Sequence, residues 1–127
     1  MIPNFRAYFE QYKRMIYSIG IVNQNMILVD FHDTGDTESL FITDRIHVMQ
    51  STGLFDKNGV EIFDGDIVKL RYTITSDFEL LKVTKSRGGS WRIGNRLRSS
   101  ELWLRNEDCE VLGNIYENPE LLESVEE

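Results

Sequence analysis

The chain contains a single cysteine, Cys109, so an internal disulfide is impossible and no paired metal–thiolate spacing exists. A reducing, cytoplasmic compartment is therefore the default expectation. No run of eighteen apolar residues occurs, which argues against a membrane span. Charged side chains interrupt the apolar stretches near the N-terminus, so we expect no signal-peptide core there.

The sequence also lacks the residue groupings that are typical of catalytic and phosphate-binding sites. Nucleophilic catalysis needs a thiol or hydroxyl beside a base and an orienting group. Cys109 lies between Asp108 and Glu110, whose charges raise the pKa of a thiol and disfavour the thiolate. The glycine pair after Arg87 has neither the length nor the following helix and lysine of a phosphate-binding loop. We therefore expect no enzyme, no catalytic residue and no cofactor.

What is present predicts a folded domain with an uneven charge distribution. Hydrophobic residues make up 41% of the chain and aromatic residues 11%, which is typical of one soluble domain with its own core. The net charge is −7, yet the segment Leu80–Ser100 has six basic residues and no acidic one, which leaves −13 on the remainder. The six are Lys82, Lys85, Arg87, Arg92, Arg96 and Arg98.

The segment Met49–Leu70 predicts a β architecture more clearly than any other. It contains two turn signals between strand-like runs, because Asn, Asp and Gly tolerate the backbone conformations of tight turns. A calcium loop counted from Asp56 would need Gly at its sixth position and Glu at its twelfth, where this chain has neither. The predicted turn residues are Asp56, Asn58, Gly59, Asp64, Gly65 and Asp66.

Strands are also predicted on both sides of this segment. For Phe5–Phe9 the residues leave two interpretations open, a strand or part of a helix over Asn4–Met15, in which apolar residues recur at helical spacing. Met15–Val22 is predicted as a second strand, and Arg71–Ile74 as an extension of the strand that ends at Leu70. Phe78–Thr84 and its return Ser90–Ile93 flank a glycine-containing hairpin loop.

The C-terminal part has a less regular pattern. Leu97–Asp108 has no clean period and is interpreted as irregular or one helical turn, and Glu110–Tyr116 returns to a strand. A short helix is predicted from Pro119 with Asn118 as its cap. Together the pattern indicates a mainly β fold, α+β at most, in which an antiparallel meander forms a small barrel.

Three blocks of sequence resemble the YopX family, small proteins of unassigned activity that bacteriophages and prophages of mostly Gram-positive bacteria carry. The blocks are the N-terminal Phe5–Ala7 with Lys13–Tyr17, the central Met49–Leu70, and the closing Cys109–Leu122. The resemblance implies a small SH3-like barrel, self-association and no known enzymatic residues. It predicts one domain, with N-terminal strands and a loop over 1–48, the barrel over 49–116 and the helix and tail over 117–127.

A weak candidate metal site lies in the loop that follows the run Met26–Phe31. A histidine and nearby carboxylates can ligate a divalent ion if the loop folds back, but this needs a converging geometry that the sequence does not show, and a polar surface loop explains them more simply. We therefore predict no metal, and note the candidates as Asp30, His32, Asp33 and Asp36.

The basic segment is the more promising candidate surface. Basic residues beside an aromatic on a β-hairpin suit contact with phosphates and a stacked base. The alternative is a solvated hairpin whose charges balance the acidic remainder, including that of a neighbouring subunit, with Trp91 in the core. The candidate residues are Lys85, Arg87, Trp91, Arg92, Arg96 and Arg98.

Three functional hypotheses follow. The first is a phage- or prophage-encoded, non-catalytic interaction module in the cytoplasm of a bacterial host, which forms homo-oligomers or binds a host or phage protein and does not contact a membrane. The second is a nucleic-acid-binding accessory protein that uses the hairpin 82–98. The third is a metal-dependent enzyme built on the His32 loop. The sequence favours the first.

Overall fold

The computed structural model describes residues 4–126 and divides into two compact units, Met1–Ser51 (unit 1) and Thr52–Glu127 (unit 2). The chain is mostly β-strand, in antiparallel sheets that include a curled half-barrel, with one short C-terminal helix. This confirms the predicted mainly β fold. The SH3-like character and the predicted domain boundaries stay predictions. Within residues 4–126, no helix combines the length and apolarity needed to cross a bilayer.

Unit 1 contains two sheets around one apolar core. Strand β1 pairs antiparallel with β2 and with the first half of β6, whereas β3, β4 and β5 form a separate sheet in that order. The buried core side chains come from β1, β2 and β4 and are Ala7, Phe9, Ile16, Ile27 and Val29. The strands are β1 (Phe5–Phe9), β2 (Arg14–Ile16), β3 (Ile19–Asn23), β4 (Met26–Val29), β5 (Glu38–Phe41) and β6 (Ile46–Phe55).

Two interpretations of the N-terminal region can now be decided. The helix over Asn4–Met15 is wrong, because the chain forms β1 with Ala7 and Phe9 buried at the two-residue spacing of a strand. The single strand over Met15–Val22 is also wrong. It breaks at Ser18, whose carbonyl accepts a hydrogen bond from the Asp30 N–H at 3.2 Å, so that β3 leaves the first sheet and pairs with β4.

Unit 2 contains the end of β6, the remaining strands and the helix. Its main sheet has the order β11–β10–β9–β8–β12, and the core clusters against it with Val68, Leu81, Val83 and Ile93 completely buried. The strands are β7 (Glu61–Phe63), β8 (Asp66–Leu70), β9 (Glu79–Lys85), β10 (Trp91–Gly94), β11 (Ser99–Glu101) and β12 (Glu110–Asn114). The 3₁₀ turns are Leu102–Leu104 and Asn106–Asp108, and helix α1 is Pro119–Glu126.

The turn residues of the central segment act through their side chains. Asp56 Oδ1 accepts hydrogen bonds from the N–H groups of Asn58 at 2.8 Å and Val60 at 2.9 Å. Asp66 Oδ2 accepts one from the Phe63 N–H at 2.8 Å. Gly59 has a φ of 79°, in the region that side-chain-bearing residues resist. Each of the two turns that flank β7 is thus stabilised by a carboxylate that accepts hydrogen bonds from backbone N–H groups.

Two predictions in unit 2 are wrong. Arg71–Ile74 does not extend β8, because Thr73 and Ser76 bond each other's backbone N–H groups through their hydroxyls, at 3.0 and 3.1 Å, and close a turn. Strand β11 was not predicted, since Ser99–Glu101 is short, polar and without an alternating pattern. It forms because β10 offers a partner edge, with Ile93 opposite Ser100.

The closing segment turns back on itself before the helix. Helix α1 begins at Pro119, as predicted. The side chain of the preceding Asn118 is directed backwards, and its Oδ1 accepts a hydrogen bond from the Asn114 N–H at 3.2 Å. A Cβ on Gly113 would collide with this side chain. The φ of Gly113 is not positive, so a larger residue is disfavoured there by the position of the Asn118 side chain and not by the backbone conformation.

Candidate interaction surface

The hairpin formed by β9 and β10 places the basic segment. Its turn is closed by a hydrogen bond from the Ser86 N–H to the Ser90 carbonyl at 2.8 Å, and the hydroxyls of the same two residues lie 2.8 Å apart. Leu81 and Val83 lie on the inner side of the hairpin and are buried in the core, as the alternation of apolar and polar residues along the strand predicts. The tip is exposed and carries Arg87.

Two of the predicted basic residues are already paired with carboxylates. The Arg92 guanidinium donates to Glu101 Oε1 at 2.6 Å and to the Ser99 hydroxyl at 3.1 Å. Arg98 lies 3.5 Å from a Glu79 carboxylate oxygen. Glu79 and Glu101 lie immediately outside the segment Leu80–Ser100, which has no acidic residue. The pairing of the strands places these two carboxylates beside its basic side chains.

The other predicted residues of the basic segment lie in different surroundings. Trp91 is half-buried and packs against the core, with the Lys85 ammonium 5.6 Å from its ring centroid. Arg87 and Arg96 are exposed, and neither forms an ion pair with any residue in 4–126. The structure therefore does not gather the six predicted residues into one site.

A second group of cations surrounds two aromatic rings, and of these cations only Arg98 is among the residues that the sequence predicts. Lys69 and Arg71 lie 4.5 and 4.8 Å from the centroid of the Phe78 ring. Arg98 and Arg105 lie 4.6 and 5.2 Å from that of Tyr72. Such contacts are attractive because the face of an aromatic ring carries negative potential.

Tyr72 connects the surrounding segments. Its hydroxyl lies 3.4 Å from that of Ser100, and its carbonyl accepts a hydrogen bond from Arg105 at 3.4 Å. Asn95 donates to Glu79 at 3.0 Å. The β8–β9 loop, the β10–β11 loop and the 3₁₀ turns thereby form one continuous surface. These contacts join residues far apart in sequence, and no local pattern signals them.

Large apolar side chains are exposed on these same segments. Ile74 is 86% exposed, Leu97 73% and Trp103 64%. A pocket of about 350 Å³ opens beside Ile74 and Phe78. Large exposed apolar side chains on neighbouring loops are the kind of surface at which proteins make contacts. We refer to the apolar face of unit 2, defined as Ile74, Phe78, Leu97, Trp103 and Leu104.

The candidate metal loop is organised by its own backbone. Asp30 accepts hydrogen bonds from the N–H groups of Gly35 at 2.8 Å and Thr34 at 3.1 Å, one on each carboxylate oxygen. The Gly35 hydrogen bond is the main reason that the pKa of Asp30 is lowered. His32, Asp33 and Asp36 are exposed. In the part of the chain that the structure describes, no three His, Cys, Asp or Glu side chains are arranged to hold a metal.

The buried ionisable groups of unit 2 are held in non-reactive settings. Burial raises the pKa of Cys109 to about 12, and the charges of Asp108 and Asp56 act in the same direction. For Asp56, burial also acts to raise the pKa. The hydrogen bonds from Val111, Val60 and Asn58 outweigh that effect, so the pKa of Asp56 is lowered. The thiol stays protonated and the carboxylate stays charged near neutral pH.

These features define a small antiparallel β protein whose buried carboxylates organise turns and whose exposed loops carry apolar and cationic groups. The model of the YopX protein family matches residues 4–123, and the chain belongs to this family.

Two solved structures are similar over nearly the whole chain. The crystal structure of protein EF1440 from Enterococcus faecalis shares 30% sequence identity, covers 96% of this chain and 99% of its own, and has a TM-score of 0.65. The crystal structure of yopX from Bacillus subtilis shares 19% identity, with 93% and 96% coverage and a TM-score of 0.68. The latter similarity is one of fold. No curated protein matches the chain.

Proposed function

We propose that this protein is a non-catalytic interaction module that associates with a second copy of itself through the apolar face of unit 2. The observation that carries the proposal is the exposure of five large apolar side chains on segments that Tyr72 and its cation contacts tie together. A single exposed apolar residue needs no explanation, whereas a group on one surface does.

The energetic scale supports this role. Full burial of one large apolar side chain contributes about 1.5–3 kcal/mol, so covering five partly exposed ones contributes on the order of 5–10 kcal/mol. Association costs about 4–15 kcal/mol in lost freedom of motion. The two quantities are comparable, so one charge placed in the apolar face is sufficient to dissociate the assembly.

Charge complementarity favours a second copy as the occupant. Three cations, Lys69, Arg71 and Arg105, border the apolar face. The chain as a whole has a net charge of −7. Exposed acidic side chains are available on helix α1, where Glu120, Glu123 and Glu126 occur without any basic residue. A copy of this chain therefore offers the opposite charge that the bordering cations prefer.

The non-catalytic part of the proposal rests on how the reactive groups are used. Cys109 is buried with a pKa of about 12, and Asp56 holds three backbone N–H groups. We further propose that the chain is encoded by a bacteriophage or prophage, as its resemblance to the YopX family implies, and that it acts in the cytoplasm of a bacterial host. A host or phage protein would then be a further partner of the assembled module.

Sedimentation analysis of the wild-type protein and of Ile74→Lys tests the proposal. We expect a wild-type mass of at least twice the 14.8 kDa of one chain, and a shift of Ile74→Lys toward one chain. The matched control is Val22→Lys, an exposed apolar position on β3 in unit 1, which should keep the wild-type mass. A wild-type protein that stays monomeric at high micromolar concentration would contradict self-association.

Nucleic-acid binding through the hairpin 82–98 is the second candidate, and the exposed Arg87 and Arg96 support it. It is the weaker candidate because Arg92 and Arg98 are neutralised by carboxylates. Titration with a single-stranded oligonucleotide at two salt concentrations distinguishes the candidates. Affinity that falls steeply with salt and is lost in Arg87→Ser with Arg96→Ser would favour nucleic-acid binding, whereas absence of binding at low salt would exclude it.

A further inference from the structure

We propose that unit 1 carries a binding pocket for an organic cation, meaning an ammonium or guanidinium group on an apolar stem. The pocket has a volume of about 310 Å³ and lies between the end of β1, the β1–β2 turn and strand β5. This proposal is independent of the apolar face of unit 2. We call the site the aromatic pocket, defined by Phe9, Tyr12, Phe31, Phe41, Glu38 and Arg45.

Three of its four aromatic rings contact one another at angles that enclose space. Phe9 and Phe31 have centroids 5.3 Å apart at an interplanar angle of 58°. Tyr12 meets Phe31 edge-to-face, at 6.1 Å and 82°. Phe9 is buried and forms the base, whereas Tyr12 and Phe41 are 60% and 69% exposed. Rings that would otherwise be expected in a core thus line a concave surface.

The charges around this pocket favour a positive ligand. Glu38 lines the pocket and, within residues 4–126, has no ion-pair partner. The adjoining stretch from Asp30 to Arg45 contains five acidic side chains against one basic residue, Arg45 itself. A cation in the pocket would gain both from the negative ring faces and from this local excess of carboxylates. An anion would gain only from Arg45.

The size of the pocket limits the ligand. A volume of about 310 Å³ is near the lower end of the range for small-molecule sites, roughly 300–1,000 Å³. It suits a quaternary ammonium ion or the guanidinium end of an arginine side chain with its apolar stem. The same chemistry can therefore come from a free small cation or from a basic side chain of a protein.

Binding is measured by NMR titration of the wild-type protein with tetramethylammonium and with its neutral isostere tert-butanol. We expect the cation to shift the signals of Tyr12 and Phe31, and the isostere to bind more weakly, since only the cation carries the charge that the ring faces and the Glu38 carboxylate attract. A capped arginine peptide forms the second arm. Peptide binding at least tenfold tighter than that of the free cation indicates a protein side chain as the ligand, whereas equal binding indicates a small molecule.

Substitutions at the two charged residues give effects of opposite sign. Glu38→Gln and Tyr12→Leu should each weaken cation binding roughly two- to fivefold, whereas Arg45→Gln should strengthen it. Phe55→Leu is the control, since this exposed aromatic lies in unit 2 and outside the apolar face, so its loss should leave cation binding unchanged.

All four positions are exposed, so the folded state of each variant can be checked by circular dichroism. Three results would overturn the proposal: no cation binding at tens of millimolar, equal binding of tert-butanol, or weaker cation binding in Arg45→Gln.

Discussion

The Asp56 carboxylate in the turn after β6 accepts a hydrogen bond from the Val111 N–H on β12 at 2.9 Å, across fifty-five positions of sequence. Its other oxygen accepts the two N–H groups of its own turn. One buried carboxylate therefore closes the β6–β7 turn and fixes the strand at the edge of the main sheet. Charge-assisted hydrogen bonds of this kind are the stronger ones, so Asp56 is a structural centre of unit 2.

Replacing Asp56 should destabilise the protein markedly. Asp56→Asn removes the charge and leaves one oxygen for three N–H donors, so we expect a loss of about 1.5–3 kcal/mol in the free energy of unfolding. Urea denaturation measures it. The control is Asp77→Asn, an exposed aspartate in the β8–β9 loop, which should change the value by less than about 0.5 kcal/mol. An equal change in the free energy of unfolding in the two variants would show that Asp56 does not have this structural role.

The lowered pKa of Asp56 predicts how this stabilisation depends on pH. Because the pKa of Asp56 in the folded state lies below the ordinary aspartate value of 3.8, folding favours the charged form. The stabilisation is complete above the unfolded pKa and is lost as the pH falls through it toward the lower folded value. The pKa of Asp30 is also lowered, so Asp30 gives a pH dependence of the same sign, and it does so equally in the wild-type protein and in Asp56→Asn.

The stability difference between wild type and Asp56→Asn should therefore narrow as the pH is lowered from 7 toward 3. Urea titrations across this range provide the measurement. A difference that stays constant or widens in acid would show that the Asp56 charge is not the source of the stabilisation.

Gly113 should not tolerate a side chain. A Cβ there would collide with the Asn118 side chain and lie 3.1 Å from Leu121 Cδ1. Relief requires rotating the Asn118 side chain away from the Asn114 N–H, with loss of that hydrogen bond, so we expect Gly113→Ala to cost about 1–2 kcal/mol. Gly88→Ala is the matched control, because a Cβ at that hairpin position meets only Ser86 Oγ at 3.9 Å. Thermal unfolding of both variants checks the prediction, and equal melting temperatures would contradict it.

The ion pair between Arg92 and Glu101 should stabilise the folded state, because Arg92 neutralises the charge of the Glu101 carboxylate. Glu101 Oε2 is buried and has no hydrogen-bond partner within residues 4–126. Removing the cation in Arg92→Leu leaves that carboxylate uncompensated, which we expect to cost about 1–2 kcal/mol.

A double-mutant cycle separates this pairing from general effects of the substitution. Combining Arg92→Leu with Glu101→Leu should recover at least half of the loss, whereas Arg87→Ala, at the exposed hairpin tip, should be neutral within about 0.5 kcal/mol. An additive double mutant would show that the two side chains do not interact energetically.

Local chemistry explains which parts of the fold could be predicted. The turns at Asp56–Gly59 and Asp64–Asp66 follow from residues that take turn conformations by themselves. The hairpin follows from alternation and glycine, and the start of helix α1 follows from Pro119. Each of these signals is contained within a few residues of sequence.

The candidate surfaces depend on pairing at a distance, and so they could not be predicted. The basic segment gains Glu79 and Glu101 from just beyond its ends, and Tyr72 gains Arg98 and Arg105 from other loops. Likewise, the aromatic pocket joins residues of β1, the following turn and β5. Strand register decides all three, and composition does not encode register.

Hydrogen–deuterium exchange at low and high micromolar protein concentration tests self-association through the apolar face most directly. The account predicts that amides in 72–78 and 97–105 exchange more slowly at the higher concentration, whereas those of the β1–β2 turn in unit 1 do not change. In Ile74→Lys the concentration dependence should disappear. Exchange in these two segments that is independent of concentration in the wild-type protein would contradict the account.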